Sequence, residues 1–132
     1  MLGKYLKDLG ILEDNTPQGW NKDDSRQERW CKEREIYGFD EKETWSMDFT
    51  FKLWLYERLS MYNEVNCVDT SFHKYEFKGK TITFQECIDR MLEGLKIELT
   101  TDEYRRTDEQ KEKEKVEDIV NIFALCLPSL WW

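Results

Sequence analysis

Residues 45–65 read WSMDFTFKLWLYERLSMYNEV. On a helix, Trp45, Met47, Phe49, Phe51, Trp54, Leu55, Tyr56, Leu59, Met61 and Tyr62 occupy most of the circumference. Ser46, Thr50, Glu57, Ser60 and Glu64 leave only a narrow polar stripe, broken by Leu53. A helix apolar over so much of its surface is enclosed by other elements or meets a partner. The spacing therefore predicts a central core helix. Its start is marked by Asp40, with Glu43 three residues on as the reciprocal acidic partner of an N-cap. Phe39 before the cap and Trp45 one turn inside it suit a hydrophobic staple. Asp48 stands among Trp45, Phe49 and Lys52, which predicts a buried carboxylate paired with Arg58 or Lys52, because an unpaired buried charge costs several kcal/mol.

Outward from this helix, Leu2, Tyr5, Leu6, Leu9 and Leu12 recur at helical spacing, interrupted by Gly10. The stretch EDNTPQGWNKDD is a loop anchored by Trp20. Residues 24–36 predict a charged surface helix with Trp30 as its buried contact, i,i+4 pairs at Glu28–Lys32 and Arg29–Glu33, and Gly38 as the C-cap. Beyond Asn66 the period changes to two, and KYEFKGKTIT predicts a β-hairpin over about 72–83. Thr83 and Glu86 form a second capping box. It opens a helix whose inner face is Phe84, Cys87 or Ile88, Met91, Leu92, Leu95 and Leu99. A last helix carries Val116, Ile119, Val120, Phe123 and Leu127 and stops at Pro128. The expected fold is mainly α: a small single-domain bundle of four or five helices with one hairpin. Residues 1–35 supply N-terminal helices and a loop, and 36–132 supply the core.

With 28 acidic and 20 basic residues, the net charge of −8 repels phosphate and disfavours direct nucleic-acid binding. A basic protein partner is compatible with it. Six Trp, six Tyr and seven Phe furnish large rings that organise a core with few rotatable bonds. The four cysteines include no C-x-x-C pair, and the glycines form no phosphate loop, so neither a metal nor a cofactor is expected. The opening MLGKYLKDLG lacks a signal-peptide run, and no stretch approaches a membrane span. Reduced thiols and a cytoplasmic location are expected.

Three groups of residues invite a functional reading. His73, the only histidine, shares a strand face with Ser71 and lies near Cys67 and Asp69 in sequence. A nucleophile needs a base and an orienting group, and a lone strand histidine is more often an edge residue. His73, Lys74, Tyr75, Lys78 and Lys80 interleave rings with cations, a pattern that suits an acidic partner or simply guards strand edges. Trp131 and Trp132 either plug the core or form an exposed anchor.

The segment Tyr37-Gly38-Phe39 through Thr44-Trp45-x-x-Asp48, the LWLYERL helix, the KYEFKGKTIT hairpin and the Leu130-Trp131-Trp132 tail together resemble a group of small bacteriophage and prophage proteins of Gram-positive hosts. The resemblance covers residues 36 to 132 and implies origin and fold; it assigns no chemistry to Asp40, Thr44, Trp45 or Asp48. The expected function is a non-enzymatic binding protein acting on a host or phage protein, including inhibition of a host nucleic-acid-handling or defence protein. A structural or assembly component of the phage particle is the second expectation. A carboxylate-based, metal-dependent hydrolase led by Asp48 is the third. Self-association is left open.

Overall fold

The computed structural model describes residues 2–66, 73–100 and 110–130. It is mainly helical with one two-stranded antiparallel hairpin. The chain forms two compact units, Met1–Leu55 and Tyr56–Trp132.

In the first unit, α1 (Lys4–Asp8) is short because Gly10, at φ +82°, turns the chain back. Leu2 and Leu6 are buried, but Leu12 lies past the turn and is exposed rather than on the expected common face. A 3₁₀ turn follows at Glu13–Asn15. Gly19 passes so close to it that a Cβ there would sit 2.1 Å from the Glu13 carbonyl oxygen. Helix α2 (Gln27–Tyr37) carries both expected i,i+4 pairs, Lys32–Glu28 at 3.5 Å and Arg29–Glu33 at 3.8 Å. Gly38 closes it in the left-handed region, donating its N–H to the Arg34 carbonyl at 2.9 Å.

The expected continuous helix from Asp40 is instead two helices, α3 (Lys42–Trp45) and α4 (Met47–Val65). Ser46 leaves the helical region at φ −142°, ψ 69°. Its carbonyl accepts the Thr50 N–H at 2.9 Å, and its hydroxyl donates to Asp48 Oδ1 at 3.3 Å. A serine outside the helical region whose carbonyl takes the first helical bond acts as an N-cap, and it starts a new helix where periodicity alone reads straight through. The staple also dissolves: Phe39 is exposed against Tyr37, and Trp45 meets Trp30.

In the second unit, β1 (Lys74–Phe77) and β2 (Lys80–Thr83) pair in the register Tyr75↔Ile82 and Phe77↔Lys80. Lys78 and Gly79, both at positive φ, make the two-residue turn whose twist matches the strands. Thr83 caps α5 (Phe84–Thr100) by accepting the Glu86 N–H on its hydroxyl at 3.1 Å. Helices α5 and α6 (Gln110–Cys126) pack tightly at Gly94, where a Cβ would lie 2.5 Å from the Lys115 carbonyl oxygen and 2.8 Å from Ile119 Cγ1. The buried stripe of α6 is Ile119, Ile122 and Cys126. Val120 and Leu127, expected inside, are exposed, because the face is set by the approach to α5 and not by the count of apolar residues.

Candidate interaction surface and its aromatic support

The interior of the first unit is built around one ring. Trp30 is fully buried, with Trp45 edge-on at 5.5 Å. The Arg26 guanidinium lies over Trp30 at 4.8 Å and over Trp45 at 5.5 Å, and the Lys42 ammonium lies over Trp30 at 4.8 Å. Each cation has a carboxylate close by. Arg26 is forked onto Asp24 at 2.9 and 2.8 Å, and the contact holds that carboxyl down at about 2. Lys42 is 0% exposed, with Asp40 Oδ2 at 3.9 Å. Asp40, itself buried, also meets Arg34 Nε at 3.3 Å and accepts the Lys42 N–H on Oδ1 at 2.9 Å. Its own N–H donates to Glu43 Oε2 at 3.3 Å, the reciprocal half of the capping box. Trp30 Nε1 donates to Glu41 at 3.3 Å, and Arg29 reaches the same carboxylate. Two cations, a carboxylate and the edge of Trp45 thus lie against the central tryptophan.

While Lys42 and Asp40 are buried, several large apolar groups stand outside. Ile36 is 72% and Tyr37 65% exposed, and Phe39 follows across the Gly38 turn with its ring 6.2 Å from that of Tyr37. The left-handed Gly38 makes this knob, since it reverses the chain between two rings that a continuing helix would separate. On α4, Met47 is exposed and Trp54 is 47% exposed with Phe51 stacked beside it at 6.2 Å. The buried side of α4 carries Leu53, Leu55, Tyr56 and Leu59. The helix expected to be enclosed therefore keeps an apolar face in solvent.

The residues singled out by sequence do not converge. Asp48, the expected buried carboxylate, is exposed at the start of α4, because the break at Ser46 puts it in the first turn, where an acid complements the helix dipole. The buried acid is Asp40. His73 is half-buried at the base of β1; Ser71, Cys67 and Asp69 lie outside the described residues, as do Trp131 and Trp132. In the hairpin, Lys74 and Lys80 are exposed, while Lys78 pairs with Asp118 of α6 at 2.8 Å, a contact that raises the lysine pKa. The Tyr75 hydroxyl bonds to that of Ser129. One lysine and the ring between the strands are thus committed to the body of the unit.

Arg90, Glu93, Glu114, Lys115, Asp118 and Ile122 line an open groove of about 320 Å³ beside α5 and α6. Within it Lys115 binds Glu93 at 2.6 Å. Cys87 and Cys126 are buried, and burial pushes the Cys126 thiol up to about 12 and the Cys87 thiol upward as well. Both stay protonated and unreactive near neutrality. No group of three His, Cys, Asp or Glu among the described residues is placed to hold a metal ion, and no helix among them is long and apolar enough to cross a membrane. No protein-family model, curated protein or solved structure matches the chain.

Proposed function

We propose that this chain is a non-enzymatic protein-binding module, encoded by a bacteriophage or prophage, that acts on a host or phage protein. The observation that carries this reading is the Ile36-Tyr37-Gly38-Phe39 knob. Three large apolar side chains stand in solvent around one left-handed glycine, tethered to a helix whose own tryptophan is locked in place. Adjacent exposed rings are costly to hydrate and are enriched at the centres of interfaces, where they bring large contact area at little entropic loss. The bacteriophage origin rests on the resemblance of the Tyr37–Asp48 segment. The net charge of −8 directs the reading toward a partner with a basic surface, such as a host protein that handles nucleic acid.

The test is affinity capture from host lysate with the wild-type chain and with an Ile36→Ser, Phe39→Ser double variant, alongside thermal melts of both. One stoichiometric partner retained by wild type and lost by an equally stable variant is the expected result. Capture that survives the double substitution, or no partner under any salt condition, overturns it.

A further inference from the structure

We infer, resting on the reading that the Ile36–Phe39 knob docks on a protein, that Glu35 is the residue by which the knob selects its partner. That partner sets an arginine or lysine at the rim of the apolar pocket that receives the knob. The charged residues of α2 are Glu28, Arg29, Lys32, Glu33, Arg34 and Glu35. All but the last are paired within the first unit. Lys32 lies 3.5 Å from Glu28, Arg29 meets Glu33 at 3.8 Å and also the Glu41 carboxylate, and Arg34 reaches Asp40 at 3.3 Å across the Gly38 turn. Glu35 is exposed, and its carboxylate has no ion pair or hydrogen bond among the described residues. The cation spaced to serve it is Lys32, three residues back, and that ammonium is turned to Glu28 instead.

Its place on the helix makes the missing partner more telling. Glu35 stands in the last turn of α2, where unsatisfied carbonyls form the negative end of the helix dipole and favour a cation. Arg34 in the same turn obeys that preference; Glu35 opposes it, and no neighbour offsets the cost. Local preferences that a chain violates concentrate at functional positions. The adjoining residue is Ile36, the first of the exposed apolar side chains of the knob. An apolar centre bordered by an unpaired charge is the anatomy of a protein interface. A cation opposite Glu35 answers both the carboxylate and the helix end, whereas an opposing carboxylate meets two fields of its own sign. The net charge of −8 draws basic partners from a distance, and Glu35 reads charge beside the contact itself.

The protein that the wild-type chain retains from host lysate, once purified, is titrated with wild type, Glu35→Gln, Glu35→Arg and Glu28→Gln at about 50 and about 300 mM salt, either side of physiological screening. Glu35→Gln is expected to bind about 5-fold more weakly at the lower salt, with a flatter salt dependence. Glu35→Arg loses at least about 30-fold, because like charges then face each other. Glu28→Gln removes the same unit of charge from the first turn of α2, about 10 Å along the helix, and leaves the affinity within about 2-fold. Both Glu35 variants melt no lower than wild type, since an acid leaves the negative end of the helix. A Glu35→Gln chain that binds like wild type at both salts, an equal loss in Glu28→Gln, or weaker binding that tracks a lowered melting temperature overturns the inference. The knob reading then stands on the Ile36→Ser, Phe39→Ser variant, which loses the same partner at every salt. A wild-type chain that retains no partner overturns that reading and the role of Glu35 with it.

Discussion

The two units solve the problem of a small interior in opposite ways. In Tyr56–Trp132 the deepest side chains are Ile82, Phe84, Ile88, Met91, Leu95, Ile119 and Ile122 with two thiols, and apart from Ile82 on β2 they come from helices that are amphipathic in the ordinary sense. In Met1–Leu55 the deepest side chains are Trp30 and Lys42, with the Asp40 carboxylate beside them, while Ile36, Tyr37, Phe39, Met47 and Trp54 face solvent. Helix α2, which provides Trp30, has charged residues around most of its circumference and buries that one side chain alone. Beside the buried leucines Leu2, Leu6, Leu53 and Leu55, a single indole with two cations against it, each with a carboxylate within 4 Å, supplies what the aliphatic layers of α5 and α6 supply in the other unit. The contrast teaches that burying apolar area is not obligatory for every large residue of a small unit. A ring whose quadrupole is matched by arginine and lysine gathers Trp45, Arg26, Lys42 and Glu41 around it while several large apolar groups stay outside.

Substitutions on both sides break or sharpen this comparison. The largest expected effect is Trp30→Ala, which removes the ring that both cations lie on and costs about 3–5 kcal/mol in urea unfolding. A loss below that of an exposed aromatic such as Trp54→Ala would show that the first unit is not organised by the indole. Asp40→Ala strips buried Lys42 of its counter-charge and α3 of its cap. Removing one partner of a buried pair costs about 3–5 kcal/mol, and Lys42→Met in the same background should recover most of it, since the orphaned charge is then gone. In the second unit Gly94→Ala pushes a methyl into the Lys115 carbonyl and Ile119, and overpacking of this kind costs about 1–3 kcal/mol. A neutral Gly94→Ala would mean that α5 and α6 separate freely.

The smallest effect distinguishes the two interiors by pH. The Cys126 thiol, ordinarily at 9.0, is held at about 12 by burial, so the folded state keeps its proton more tightly than the unfolded chain. Its contribution to stability is complete below about pH 9 and is lost as the pH rises toward 12. Denaturation midpoints measured at rising pH should fall more steeply for wild type than for Cys126→Ala. Asp24 in the first unit behaves in the opposite sense: its depressed carboxyl contributes above its ordinary value and is lost as the pH falls toward about 2. An Asp24→Asn chain should lack that acidic shift.

Much of this fold is readable along the chain. Gly38 as a C-cap, Thr83 with Glu86 as a helix start, the Lys78–Gly79 turn and the inner face of α5 from Phe84 to Leu99 all stand where spacing puts them. The interaction surface was only half legible. The sequence of 45–65 raises the alternative that its helix meets a partner, and its narrow polar stripe includes Thr50, Glu57 and Ser60. In the structure those three are half-buried, and the solvent side is the row from Met47 to Val65. Exposed Phe39 gives no signal as a surface, because just before a helix cap it suits a staple with Trp45 equally well. Lys42 gave none at all: nothing in the spacing of a lysine announces that a tryptophan twelve residues earlier will cover it.

What the sequence determined by itself is where most elements begin, turn and end, the break at Ser46 excepted. Caps, left-handed glycines and two-residue turns are closed by hydrogen bonds between residues at most a few positions apart, so their whole energetic content lies within a short window. What only the tertiary structure decided is orientation and burial: which side of α4 faces inward, that Asp40 and not Asp48 is the enclosed acid, and that Val120 points away from α5. Those outcomes depend on the approach of groups far apart in the chain, whose desolvation and pairing have no local representation in the order of residues.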